Sequence, residues 1–216
     1  MAIISGSTPI EVQSDVGKGR AIIVLCEKGT YNDFAEKLSH ELHRDTRVIS
    51  CITQRVGAQN WQLLTLKLEE ALQSLGVRQA TYIGFGPAAT VVQNLVILKP
   101  KLVRSLVLVD ATMRAHPTLW QCLSDRIERF LPLGLPLRFR SADFDGHPLL
   151  HRMRCPALIV TSRHASQLAR SQASEFASSM PSAWREVLVS ENEARELTEL
   201  VVQFQNVPAK APQRAA

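Results

Sequence analysis

The stretch from Ala80 to Leu95 constrains the fold of this chain more than any other. It opens as an apolar run, breaks at Gly84 and Gly86, and continues with apolar side chains at helical spacing. Pro87 stands just after the break, where the first turn of a helix tolerates proline because an N–H there would have no partner within the helix. The pattern predicts a buried strand that ends in a tight turn and passes directly into a helix.

Buried strands and amphipathic helices alternate along most of the chain. After a short strand at 10–12, the predicted strands are apolar runs typical of strands covered on both faces, at residues 21–26, 48–52, 81–85, 105–109, 157–160 and 186–189. The predicted helices lie at residues 31–43, 61–75, 87–98, 166–179 and 192–205. This alternation predicts an α/β fold with a mostly parallel, doubly wound sheet.

The order of these pieces resembles the α/β-hydrolase fold from about Ile10 to Gln205. The likeness rests on several places, each weak by itself: Gly57 before Trp61, Leu75 to Gly84, Lys99 to Asp110, and Cys155 to Val160. We therefore expect a single α/β-hydrolase-like domain over residues 1–207, with a short cap insertion at about 111–154. The tail 208–216, rich in proline, alanine and basic residues, is predicted to be disordered.

The resemblance places Gly86 where the family carries its nucleophile. The family's G-x-S-x-G turn reads Gly84, Phe85, Gly86, Pro87, Ala88 here. Glycine has no group that can attack, and Pro87 has no N–H to stabilise an oxyanion. The family often supplies its second oxyanion donor from a His-Gly loop after the strand at 21–26, and this chain preserves only the glycine of that pair, at position 29.

The resemblance also locates an acid and a base, and this chain has neither at those places. No carboxylate occurs in residues 161–165, and no histidine in residues 190–193. Four independent requirements of the family's catalysis are therefore unmet. The sequence predicts a pseudoenzyme whose elbow, at Gly84, Gly86, Pro87 and Ala88, is vestigial.

Other arrangements of reactive residues are weaker interpretations. A displaced triad would use Asp110 with His116 or His164 and a serine such as Ser162, although Asp110 is better explained as a cap of its strand end. His40 and His43 lie three residues apart, and His147 and His151 lie four apart. Both spacings can share a metal ion, but each pair lacks an obvious third ligand. Gly84-x-Gly86 after a strand is similar to a dinucleotide loop, but the third glycine is missing. We expect no metal and no cofactor.

The insertion combines arginines with aromatic and leucine residues, a composition enriched in protein interfaces. It would either close over the vacant pocket or stay exposed to a partner. The candidate partner-binding residues are Arg126, Arg129, Phe130, Leu133, Leu135, Arg138, Phe139 and Arg140.

Composition sets outer bounds on function. The net charge of +5 and pI near 9.3 permit an acidic partner but are modest for 216 residues, so no nucleic-acid ligand is expected. The four scattered cysteines fit reduced thiols, and a cytoplasmic protein without a transmembrane segment is expected. We predict a non-catalytic protein that binds another protein as an accessory or structural subunit. The alternatives are a small apolar-ligand carrier or sensor, and a hydrolase with a relocated triad.

Overall fold

Seven strands form one sheet in the computed structural model, which describes residues 9–29, 31–44, 46–54, 56, 61–111 and 147–206. The strands are Ile10–Val16 (β1), Ala21–Glu27 (β2), Arg47–Thr53 (β3), Ala80–Phe85 (β4), Val103–Val109 (β5), Ala157–Thr161 (β6) and Ala183–Val187 (β7). Their order in the sheet is β1-β3-β2-β4-β5-β6-β7. Only the β1–β3 pair is antiparallel among the described strands. The predicted, mostly parallel α/β sheet is confirmed.

Five α-helices cover the sheet on both faces in the described part of the chain. They are Asn32–Leu42 (α1), Trp61–Ser74 (α2), Ala89–Leu98 (α3), Gln167–Ser179 (α4) and Glu193–Asn206 (α5). One core layer packs α2, α3 and α4 against the sheet, and a second packs α1 and α5 against the opposite face. Each central strand is thus enclosed by apolar side chains, which explains why its sequence is apolar without alternation.

The strand β4 and the helix α3 form the centre of this arrangement. All six residues of β4 are buried, and eight of the ten residues of α3 are buried. A Cβ at Gly84 would lie 2.8 Å from the Cα of Ala89, so only glycine lets the helix approach the strand this closely. The first glycine of the turn is therefore required by packing.

One predicted strand is misplaced. The apolar residues at 186–189 predicted the last strand, but the structure pairs Ala183–Val187 with β6, and Leu188 and Val189 follow the strand. The reason is that β7 is an edge strand whose last three residues are exposed, so hydrophobicity does not mark its bounds. The side chain of Trp184 instead packs edge-on against Phe204 of α5.

Other predictions concern segments that the structure does not describe. Gly57, most of the insertion at 111–154, Cys122 and the tail 208–216 lie outside the described residues.

The three described cysteines, Cys26, Cys51 and Cys155, are free thiols. Burial raises their pKa values to about 11, 12 and 11, respectively. No helix in the described ranges is long and apolar enough to span a bilayer.

Candidate functional site

The turn after β4 keeps the backbone geometry that a strained strand-to-helix turn requires. Gly86 has φ +49°, in the left-handed region, and begins a short 3-10 turn, Gly86–Ala88, that leads into α3. A residue with a Cβ would be strained in this conformation, whereas glycine adopts it freely. The predicted elbow is therefore present as a turn, with glycine at the position where a nucleophile would stand.

The ring of Tyr31 lies directly against Gly86. A Cβ at position 86 would lie only 2.9 Å from Cε2 of Tyr31, closer than a Cβ can normally approach a carbon atom. The same ring packs on Phe85, with ring centroids 5.5 Å apart, and Phe34 packs edge-on against Phe85 at 5.3 Å. The space into which a nucleophilic side chain would project is thus filled by an aromatic ring.

Tyr31 is held in this position from two sides. It directly precedes α1, and its carbonyl accepts a hydrogen bond from the N–H of Ala35 at 2.8 Å. Its hydroxyl donates to Oδ2 of Asp110 at 3.2 Å. Burial, together with the nearby charge of Asp110 and this hydrogen bond, raises the pKa of Tyr31 well above its usual value. The hydroxyl therefore remains a neutral donor to the carboxylate.

Asp110 is buried at the end of β5, with 6% exposure and φ +50°. Its Oδ1 accepts the backbone N–H of Ser162 at 2.7 Å, and its Oδ2 accepts the hydroxyl of Ser162. Asp110 thus joins the ends of β5 and β6 to Tyr31. This agrees with the structural role predicted for Asp110 at a strand end, although Ser162 is a bonded, buried partner and not a free loop residue.

The displaced triad that the sequence leaves open lacks its base among the described residues. Ser162 donates directly to Asp110, so no imidazole lies between the serine and the acid. The side chain of His164 is exposed and makes no hydrogen bond to Asp110 within the described residues. His116 lies outside the described residues. A triad needs the histidine between the serine and the acid, because it must accept the serine's proton.

The loop after β7, where the family places its base, is fixed by carboxylates of α5. The N–H groups of Val189 and Ser190 donate to the carboxylate of Glu196, the latter at 2.8 Å. The N–H of Arg163, after β6, donates to Glu193 at 2.8 Å. The first turn of α5 therefore closes these loops with its own side chains, a favourable place for acids because of the helix dipole.

Among the described residues, the backbone donors that we could assign at the two oxyanion positions are missing or engaged. Pro87 has no N–H, as the sequence predicts. In the loop after β2, the N–H of Lys28 donates to the carbonyl of Thr53 at 3.0 Å, and that of Gly29 donates to Oδ1 of Asn32 at 3.3 Å. Donors that already have partners cannot reorganise cheaply around a developing charge.

The remaining candidate residues do not converge on a site. The rings of His40 and His43 are 5.2 Å apart, but no group of three metal-ligating side chains occurs in the described residues. His151 is exposed, and the side chain of His147 is not described. The eight candidate partner-binding residues of the insertion, from Arg126 to Arg140, all lie outside the described residues.

A cleft of about 420 Å³ lies elsewhere, between α1 and the β1–β3 strand pair. Its lining includes Asn32, Glu36, His40 and Ser50, and it includes neither Gly86 nor Tyr31 nor Asp110. This cleft is therefore separate from the elbow.

Tyr31 is the residue that the sequence analysis missed. It was assigned only to the start of a helix, and its contacts with Gly86 and Asp110 depend on the tertiary fold. One signal was available: Tyr31 follows the glycine of the loop that the family uses for its second oxyanion donor. A large ring two residues after Gly29 is placed to reach the neighbouring strand end.

Comparison with known proteins identifies the fold. No family model and no curated protein matches the chain. A thermophilic esterase from Thermogutta terrifontis matches with a TM-score of 0.72 and 16% identity, over 94% of this chain and 96% of that one. The enol-lactonase from Burkholderia xenovorans LB400 matches with a TM-score of 0.70 and 16% identity, over 92% and 96%. A hydrolase from Pseudomonas aeruginosa PA01 matches with a TM-score of 0.67 and 17% identity, over 92% of this chain and 94% of that one.

These matches define the fold. The chain has the α/β-hydrolase fold, as the sequence resemblance implies. At such low identity the likeness establishes the fold alone, and any statement about activity must come from the residues at the elbow.

Proposed function

We propose that this chain is a non-catalytic protein of α/β-hydrolase fold that acts by binding another protein, as an accessory or structural subunit. The observation that carries the proposal is the contact of Tyr31 with Gly86. The turn that would present a nucleophile has none, and the space above it is filled by a ring that is itself held by Asp110.

Several independent features support the loss of catalysis. The nucleophile, the oxyanion donor at position 87 and the base between Ser162 and Asp110 are each missing from the described site. Loss of one oxyanion donor alone costs about 10²–10³ in rate. Restoring any single element would therefore leave the site far from active.

Protein binding is the role that fits a fold retained without its chemistry. Core layers pack helices against both faces of the sheet, so the described part of the domain forms a folded scaffold. The insertion also has a sequence rich in arginine and aromatic residues, which is typical of interfaces. An apolar ligand at the elbow is disfavoured because the rings of Tyr31, Phe34 and Phe85 already fill that space.

The proposal is tested by assaying the purified chain with short-chain aryl esters. We expect no turnover above that of heat-unfolded protein. The matched variants are Asp110→Asn and Ser162→Ala, which alter the only serine–carboxylate pair at the described site. Turnover by the wild type that either variant abolishes would overturn the proposal and favour a relocated active site.

A further inference from the structure

Basic side chains gather at the edge of the sheet opposite the elbow, where the parallel strands begin. We call this set the amino-edge face and define it as Arg20, Arg44, Arg78, Lys101, Arg104 and Arg154. All six residues are exposed. None of them makes a side-chain hydrogen bond or an ion pair within the described part of the chain.

The starts of the parallel strands place these residues along one edge of the sheet. Arg44, Arg20 and Arg78 precede the neighbouring strands β3, β2 and β4, and the carbonyl of Arg20 accepts the N–H of Arg47 at 3.1 Å. Arg104 follows Val103, which pairs with Ala80 at the start of β4, and Arg154 precedes β6. Five adjacent strands therefore each bring at least one cation to this edge, across about 19 Å at 4.8 Å per strand.

Helix ends explain part of this arrangement. Arg44, Arg78 and Lys101 each follow the carboxyl end of a helix, α1, α2 and α3 respectively, within four residues. Cations there interact favourably with the partial negative charge of the helix terminus. That interaction explains why each of these three positions carries a cation. It does not offset the positive charge that the six side chains add together.

Two carboxylates near the face are already paired with cations outside it. Asp15 is already paired with Arg47, through bonds of 2.8 and 2.6 Å, and Glu69 is paired with Lys99 at 2.9 Å. Glu41 lies exposed in the last turn of α1, and Asp45, next to Arg44, lies outside the described residues. At the opposite edge, by contrast, Asp110, Glu193 and Glu196 line the ends of the strands.

We propose that the amino-edge face binds an acidic, extended segment of the partner protein. This inference rests on the proposed function and supplies the location and chemistry of the contact. A span of about 19 Å matches about six extended residues, and arginine pairs with carboxylates through two parallel hydrogen bonds.

Two observations favour a protein over a nucleic acid. Arginine outnumbers lysine at this edge, five to two when Lys18 of the turn before β2 is counted, and arginine is enriched and lysine depleted in protein interfaces. Leu98, at the end of α3 beside the face, is 54% exposed. An apolar side chain of a peptide could cover Leu98, whereas a phosphate backbone gains nothing from it.

The experiment measures binding of a fluorescein-labelled acidic peptide to the full chain by anisotropy. The peptide has about twelve residues of Asp and Glu with one Leu, and a short DNA duplex serves as the competing probe. The test variant is Arg78→Gln/Arg104→Gln/Arg154→Gln. The control is Lys28→Gln/Lys37→Gln/Arg163→Gln, which removes the same charge from exposed positions away from this edge.

We expect the test variant to weaken peptide binding at least about tenfold and the control less than about twofold. Equal losses of peptide affinity in the test and control variants would overturn the proposal, because the net charge of the protein alone would then explain the binding. If the DNA duplex binds more tightly than the peptide, and the test variant loses this binding, the proposal is overturned in favour of a nucleic-acid ligand.

A second measurement uses the wild type alone and does not depend on the folding of a variant. Zero-length carbodiimide coupling should join peptide carboxylates to Lys101 in preference to Lys28 and Lys37, and the reverse preference would overturn the proposal. Ester turnover by the wild type would refute the proposed function without affecting these results. A failed peptide experiment would leave the non-catalytic assignment intact.

Discussion

The ring of Tyr31 occupies the space that a side chain at position 86 would need, with Cε2 2.9 Å from the place of its Cβ. This contact couples the loop after β2 to the turn after β4. A side chain at position 86 would therefore require the ring of Tyr31 to move.

Gly86→Ala should destabilise the protein through two effects. The left-handed φ strains any residue with a Cβ by about 1–2 kcal/mol, and the new methyl group must also displace the ring of Tyr31. Gly76→Ala is the matched control, because Gly76 also has positive φ but a Cβ there meets nothing within 4 Å. Urea unfolding should show a loss at Gly86 that exceeds the loss at Gly76 by at least about 1 kcal/mol.

The same comparison in a Tyr31→Leu background tests whether Tyr31 is the cause. We expect the excess cost at Gly86 to shrink when the ring is removed. An unchanged excess would show that some other neighbour crowds position 86.

The two tyrosines should ionise at a higher pH in the folded protein than in the unfolded chain. Burial raises the pKa values of both Tyr31 and Tyr82 well above the usual 10, so the folded state favours the protonated phenols. Their contribution to stability is therefore fully present below pH 10 and is lost as the pH rises through the raised values. Phenolate absorbance should be nearly absent from native protein at pH 10 and half-developed in urea; a native midpoint near pH 10 would contradict this description.

Gln93 offers a test of the packing of α3. Its side chain is fully buried, and neither amide atom has a hydrogen-bond partner within the described residues. Gln93→Leu should therefore stabilise the protein by about 1–2 kcal/mol, because an unsatisfied buried polar group is removed. The neighbouring Asn94→Leu should destabilise it, since Asn94 donates to Thr65 at 3.0 Å. Both effects are read from denaturant midpoints, and a loss of stability in Gln93→Leu would indicate that the amide has a partner.

Gly86→Ser should not create an esterase. The new hydroxyl would meet the ring of Tyr31, would have no histidine base among the described residues, and would be followed by Pro87, which has no N–H to donate. Ester turnover should stay at the level of the heat-unfolded protein, also in a Tyr31→Ala background that makes room for the serine. Measurable hydrolysis in either variant would mean that a base and an oxyanion donor exist at the elbow after all.

Much of the fold follows from local sequence. The central strands of a parallel sheet are apolar on both faces, so runs such as Ala21–Glu27 and Val103–Val109 are visible without tertiary information. The edge strand Ala183–Val187 is not, because its last three residues are exposed and the more apolar residues follow it. Sequence pattern therefore locates core strands better than edge strands.

The site is less accessible to sequence reasoning. That Gly86 and Pro87 cannot act as nucleophile and oxyanion donor is evident from their chemistry alone. The contact of Tyr31 with Asp110 joins residues 79 positions apart, and that of Asp110 with Ser162 joins residues 52 apart. Such contacts are set by the order of the strands in the sheet, so only the structure reveals them.

The folded protein should contain no activated serine. A fluorophosphonate probe applied to the native wild type, with any adduct mapped by peptide mass spectrometry, would detect one. We expect no labelling above that of the heat-unfolded protein. Stoichiometric labelling of one serine in the native protein, most tellingly of Ser162 and abolished in Asp110→Asn, would contradict this expectation.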